Sequence, residues 1–243
     1  MDAEEKEALN LKLYNVCNAK EINYELAEQL LKQGAEPLGK IKLPGNRIKT
    51  ILYGEVVDAL FDCEDTTEAL YKVTELFLKY GMDVTKPVIY DEKEEVNPLW
   101  TFAFFSNDNV LKTIKLLLDY GLNAEDAGEC WGHAISDFCN IEGSLTDSLC
   151  YEFYYDYLRK LMLIASYPHV LEADEYLRKE IWLSENNYDL KKFREWQNYE
   201  YEIDTSHCID YPEVYRSVVT IIEKNTKNKV WKFGVCLKPE DIL

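Results

Sequence analysis

The amino-acid sequence predicts a mostly α-helical chain. An array of about four helical hairpins is expected over residues 1–168. A small C-terminal region, 169–243, is expected to close it with helices and an antiparallel β-hairpin. Three observations carry this expectation. A helical apolar stripe running into glycine recurs at related spacing. The hydrophobic period then changes from helical to alternating near Tyr199. Finally, a turn-forming run at Lys224–Lys229 separates two β-rich stretches.

The repeat is read from three segments. They are Leu26-Ala-Glu-Gln-Leu-Leu-Lys-Gln-Gly34-Ala-Glu, Val73-Thr-Glu-Leu-Phe-Leu-Lys-Tyr-Gly81-Met-Asp and Thr113-Ile-Lys-Leu-Leu-Leu-Asp-Tyr-Gly121-Leu-Asn. In each, glycine falls where a helix ends and the backbone needs a positive φ. A fourth copy, Leu158-Arg-Lys-Leu-Met-Leu-Ile-Ala-Ser166, has serine at that place and has to end its helix another way. The copies are 47, 40 and 45 residues apart. A period in this range reads as stacked helical pairs, none of which buries its apolar face alone.

These residues resemble the ankyrin repeat, whose second helix reads I-V-K-L-L-L-x-x-G-A-D. The third copy also carries a unit start, Asn97-Pro98-Leu99-Trp100-Thr101-Phe102-Ala103, similar to the family's T-P-L-H-x-A-A. Locally, Asn97 suits a helix cap and Pro98 a first turn, where no N–H is needed. The resemblance covers about residues 5–168 and implies an ankyrin-like helical-hairpin solenoid. The first two copies lack the T-P-L-H element, and extra residues fall in the turns Asp91–Glu95 and Ser106–Asn109.

The C-terminal region begins with residues 171–195, read as one or two helices from Leu171, Tyr176, Leu177, Ile181 and Trp182. Then Tyr199, Tyr201 and Ile203 alternate with Glu200, Glu202 and Asp204, which is strand patterning. Val214–Glu223 is rich in β-branched residues. Val230–Leu237 alternates Trp231, Phe233, Val235 and Leu237 with Lys232, Gly234 and Cys236. A hairpin with a third strand from 198–204 is expected. Sealing the last repeat is the plain role for this region, and a second binding surface the sharper one.

Composition narrows the function. The 243 residues carry 27 Lys+Arg against 45 Asp+Glu, a net charge of −18. Such a charge repels nucleic-acid phosphates and anionic membranes. A 47% hydrophobic content argues against disorder. No apolar run approaches the roughly 18 residues of a membrane span. The acidic start, Met1-Asp-Ala-Glu-Glu, does not read as a secretory leader. Seven scattered cysteines suit reduced thiols in a cytoplasm. Residues 50–156 hold 22 acids and six bases, whereas 166–243 hold 15 acids and 11 bases. The basic cluster Lys40, Lys42, Arg47 and Lys49 lies in a loop containing glycine and proline.

Catalytic and metal motifs are weak. His133, His169 and His207 are the only histidines, and no Gly-rich phosphate loop, G-x-S-x-G elbow or H-E-x-x-H occurs. Cys130, His133 and Cys139 lack a fourth ligand at zinc spacing. His207 and Cys208 are neighbours, and on a strand they point to opposite faces. No cofactor, no metal and no catalytic residue is expected. An enzyme with an unfamiliar carboxylate site is the weakest alternative.

Binding is the stronger expectation. The run Asp91, Glu92, Glu94 and Glu95 sits in the longest connection between copies, with Tyr90 before it. A solvated loop is its plain reading. In the ankyrin-like reading these connections and the first helices line the face that binds partners. Trp100, Phe104 and Phe105 follow; aromatics reaching that surface would be anchors beside an acidic rim. Asn107, Asp108, Glu125 and Asp126 complete the candidate set. The expected function is protein binding without catalysis, by a monomer, with a basic protein as partner. The resemblance adds one narrower possibility: a bacterial immunity protein neutralising a toxin such as a basic nuclease.

Overall fold

The computed structural model describes residues 1–45, 49–61, 66–86, 88–91, 94–96, 107–122, 159–160, 163, 166–167, 181–182, 190–204 and 215–237. They are mostly helical, with small antiparallel sheets. The chain divides into two compact units, Met1–Leu122 and Asn123–Leu243.

The first unit begins with α1, Ala3–Cys17. Asp2 starts it with a capping box. Its carboxylate accepts the Glu5 N–H at 2.8 Å, and the Glu5 carboxylate accepts the Asp2 N–H at 3.0 Å. Helix α2, Tyr24–Lys32, is capped by Asn23, whose side-chain oxygen accepts the Leu26 N–H at 3.0 Å. Helices α3, Leu52–Phe61, and α4, Thr67–Lys79, form the next pair, and α5 spans Asp108–Asp119. Helix α1 packs on α2 and on α3, α3 on α4, and α4 on α5.

A two-stranded hairpin follows each helix pair. Strands β1, Lys40–Ile41, and β2, Thr50–Ile51, come after α2. Strands β3, Val88–Asp91, and β4, Glu94–Val96, come after α4. The basic cluster read as a loop therefore includes a short hairpin. Lys40 pairs with Ile51 and Ile41 with Thr50, because Ile41, Thr50 and Ile51 are buried and fix the register.

The three glycine-terminated copies end identically. Gly34, Gly81 and Gly121 have φ of 103°, 84° and 91°. Each glycine N–H donates to the carbonyl three residues back, and the next N–H donates to the carbonyl five back. The pairs are Gly34–Leu31 and Ala35–Leu30, Gly81–Leu78 and Met82–Phe77, and Gly121–Leu118 and Leu122–Leu117, all at 3.0 or 3.1 Å. This is the Schellman arrangement, with an apolar residue after the glycine folded back on the helix end. Ala35, Met82 and Leu122 are all buried, as are Leu30, Phe77 and Leu117.

Helices α2, α4 and α5 each bring one stripe to the core of this unit. Leu30 and Leu31, Leu70, Val73 and Phe77, and Ile114 and Leu117 contribute from α2, α4 and α5. Each such side chain contributes about 1.5–3 kcal/mol on burial. Helix α3 packs on α1, α4, β2 and β3. Accordingly Leu52, Tyr53, Val56, Val57 and Leu60 are all buried, and Glu55 and Asp58 are the charged positions on it.

In the second unit, a four-stranded antiparallel sheet has the order β5-β8-β7-β6. Its strands are β5, Ile181–Trp182; β6, Tyr199–Asp204; β7, Tyr215–Glu223; and β8, Lys229–Leu237. The expected hairpin and third strand are present, and Lys227 (φ 58°) takes the left-handed position in the turn. Ile181 and Trp182, expected in a helix, are a strand instead. The reason is a partner remote in sequence: Ile181 pairs with Val235, and Trp182 with Gly234. Residues Leu190–Asn198 are a kinked 3-10 segment rather than α-helix.

The fourth copy lies in this unit. The Ser166 hydroxyl donates to the Leu163 carbonyl at 2.6 Å, beside its own N–H at 3.1 Å. Arg194 then donates from Nη2 to the Ser166 carbonyl at 3.0 Å and stacks 3.9 Å above the Tyr167 ring. A cation placed on terminal carbonyls serves where glycine is missing. Among the described residues no helix is long and apolar enough to cross a membrane.

Candidate functional site

The acidic segment forms a hairpin. Tyr90 and Asp91 belong to β3, and Glu94 and Glu95 to β4. Asp91 is the register partner of Glu94, and Ile89 that of Glu95, with an irregularity between Ile89 and Asp91. The fold therefore sets two carboxylate-bearing residues opposite each other beside the turn. Like charges so placed oppose strand pairing. The hairpin packs through β3 onto α3 and β2.

The neighbouring β1–β2 hairpin is held by buried polar contacts. The Asn10 side chain, 3% exposed, accepts the Glu36 N–H at 2.8 Å. Gly39 donates to the Glu36 carbonyl at 2.8 Å and accepts from Leu52 at 3.0 Å, while Tyr53 donates to the Pro37 carbonyl at 3.0 Å. Gly39 has to be glycine: a Cβ would run into the Asn10 amide and lie 2.9 Å from the Glu36 carbonyl. Lys40 and Lys42 are exposed. Lys49 pairs with Glu7 on α1.

Charge on helices α2, α4 and α5 is different in kind. Helices α2, α4 and α5 together hold six acids and five bases, so they contribute −1 of the −18. Most of these charges are paired. Lys79 reaches Glu28 at 2.7 Å and Lys32 reaches it at 3.3 Å; Lys72 meets Glu68, and Lys115 meets Asp119. The Lys79 ammonium, the Tyr80 hydroxyl and Lys32 hold the Glu28 carboxyl down at about 2. Lys72 lowers Glu68 in the same way. On α1 the sign reverses. Burial, then the charge of Glu55, raises the Tyr14 hydroxyl, and Asp58 adds to it.

The predicted site residues fall into three groups. Tyr90, Asp91, Glu94 and Glu95 share one hairpin. Asn107 caps α5: its oxygen accepts the Asn109 and Val110 N–H groups at 3.0 Å, and its nitrogen donates to Thr67 at 3.0 Å. Both ends of that amide are used within the chain, and Asp108 sits exposed in the first turn of α5. Glu92, Trp100, Phe104, Phe105, Glu125 and Asp126 lie outside the described residues, as do Cys130, His133, Cys139, His207 and Cys208. Among the described residues no group of three His, Cys, Asp or Glu is placed to hold a metal ion. Sequence reasoning noted Lys40 and Lys42 without giving them a role. Their signal was a stretch, residues 37–54, with four bases and no acid.

Comparison with protein-family models, curated proteins and solved structures finds no match.

Proposed function

We propose that this chain is a non-catalytic protein-binding module, an ankyrin-like array of about four degenerate repeats whose acidic side takes up a basic protein in the cytoplasm. Support for the array comes from the three identical glycine ends, the alternation of helix pairs with hairpins, and the packing of α1 on α3 and of α4 on α5. The observation that carries the binding role is the register of Asp91 opposite Glu94. The register sets two acidic residues opposite each other beside a turn, and a cationic surface complements such a pair. Helices α2, α4 and α5 are largely neutralised by their own ion pairs, which leaves them little to offer a charged partner.

The test is charge reversal of Asp91, Glu94 and Glu95 to Lys. A partner captured from the native cell by the wild-type chain is purified, and its association rate is measured at low and high salt. Electrostatic steering predicts a fall of about tenfold or more in the rate at low salt and a flatter salt dependence. An unchanged rate and salt dependence would show that the acidic hairpin does not recruit the partner.

A further inference from the structure

The two hairpins of the first unit carry opposite charge and stand side by side, because β2 packs on β3. The second hairpin brings Asp91, Glu94 and Glu95. The first brings Lys40 on β1 and Lys42 just after it, both exposed, and neither forms an ion pair among the described residues. Its backbone is fixed from beneath by Asn10, by Gly39 and by the buried Ile41 and Ile51. Lysines on an anchored backbone lose less freedom on binding than lysines on a loose loop.

Resting on the reading of the acidic hairpin as a binding surface, we propose that the two hairpins form one dipolar recognition edge. Its partner is a protein with a cationic patch for β3–β4 immediately beside an anionic patch for Lys40 and Lys42. The acidic hairpin alone would accept any cationic surface. The adjacent lysines penalise a uniformly basic one, because like charges brought together at an interface reject it. They make the edge selective.

Two other occupants fit less well. A second copy of this chain would match the edge by two-fold symmetry, since such an interface pairs a patch with itself. Each copy, however, brings a charge of −18, and repulsion between the two opposes that dimer. Attraction between the two hairpins of one chain would make the charges purely structural. The test separates this outcome.

Three peptides serve as probes for the full-length chain: octalysine, a block peptide of four lysines and four glutamates joined by two glycines, and an alternating Lys-Glu peptide of the same composition. Binding is followed by fluorescence anisotropy at low salt, and folding of every variant by circular dichroism. The wild type is expected to bind the block peptide about tenfold more tightly than the alternating one, a difference of about 1.4 kcal/mol. Replacing Lys40→Glu and Lys42→Glu together should remove that preference and strengthen octalysine binding. Equal affinity for block and alternating peptides, or a block preference that survives the lysine replacements, overturns the dipolar edge. If octalysine fails to bind, or binds D91K/E94K/E95K as tightly as the wild type, the acidic reading itself has failed. A salt-dependent loss of stability in K40E/K42E, with no change in peptide preference, assigns the charges to holding the hairpins together and also overturns the proposal.

Discussion

The Lys79 ammonium lies 2.7 Å from the Glu28 carboxylate, joining the end of α4 to the middle of α2 across 51 residues of sequence. Tyr80 donates to the same oxygen at 2.8 Å, so the helix end formed around Gly81 also grips the preceding copy.

This contact has a pH signature. Glu28 is held at about 2 against a usual value of 4.5. A carboxylate with a lowered folded-state value stabilises the fold above the unfolded value and loses that contribution as pH falls. The Glu28 contribution is therefore present above about 4.5 and vanishes toward 2. Urea unfolding of wild type and Glu28→Gln should differ at pH 6 and converge near pH 2. A constant difference over that range would assign the effect to something other than ionisation.

The Tyr53 hydroxyl and the Thr74 hydroxyl hydrogen-bond at 3.0 Å, both buried, and the Tyr53 ring meets Phe77 edge-on at 6.0 Å. Tyr53→Phe leaves the Thr74 hydroxyl unsatisfied in the core and should cost about 1–3 kcal/mol. Removing both hydroxyls, with Thr74→Val added, should recover most of that loss, since replacing both partners with apolar groups of the same shape is nearly neutral. Additive costs in the double-mutant cycle would contradict the pairing.

Glycine is required for different reasons at different places. At Gly81 nothing lies within 4 Å of an added Cβ, so Gly81→Ala should cost only the left-handed strain, about 1–2 kcal/mol. Gly39 has an ordinary φ but no space, so Gly39→Ala should cost about 1–3 kcal/mol through overpacking against Asn10 and Glu36. Asn10→Ala removes part of the obstruction, so adding it should lessen the further penalty of Gly39→Ala but leave that of Gly81→Ala unchanged. Thermal denaturation of the three single and two double variants measures this.

Burial pushes the Cys17 thiol up to about 12 from 9.0. A raised value stabilises the fold below the unfolded value and is lost as pH rises, here between about 9 and 12. At pH 8 the native protein should resist iodoacetamide at Cys17, and urea should expose it. Peptide mass spectrometry of the alkylated chain reads this site separately. Rapid native labelling would show that α1 opens far more readily than its packing implies.

Local features were legible from the sequence because they depend on neighbours along the chain. Gly34, Gly81 and Gly121 end helices through backbone sterics and hydrogen bonds within six residues. The alternation at Tyr199–Asp204 and the turn at Lys224–Lys229 likewise encode the β6–β7–β8 arrangement within a short span. The acidic run at Asp91–Glu95 was visible as composition. Its hairpin register, Asp91 opposite Glu94, was not.

By itself, then, the sequence determined the helix stripes and their ends, the strand-rich C-terminal stretch and the uneven distribution of charge. Each follows from side-chain period, backbone sterics or simple counting. Only the tertiary structure decided that Ile181–Trp182 is a strand, that Gly39 makes room for Asn10, that Arg194 finishes the helix at Ser166, and that a basic hairpin stands beside an acidic one. These relationships join residues distant in the chain, and their energy comes from hydrogen bonds, space and charge that exist only once the chain has folded.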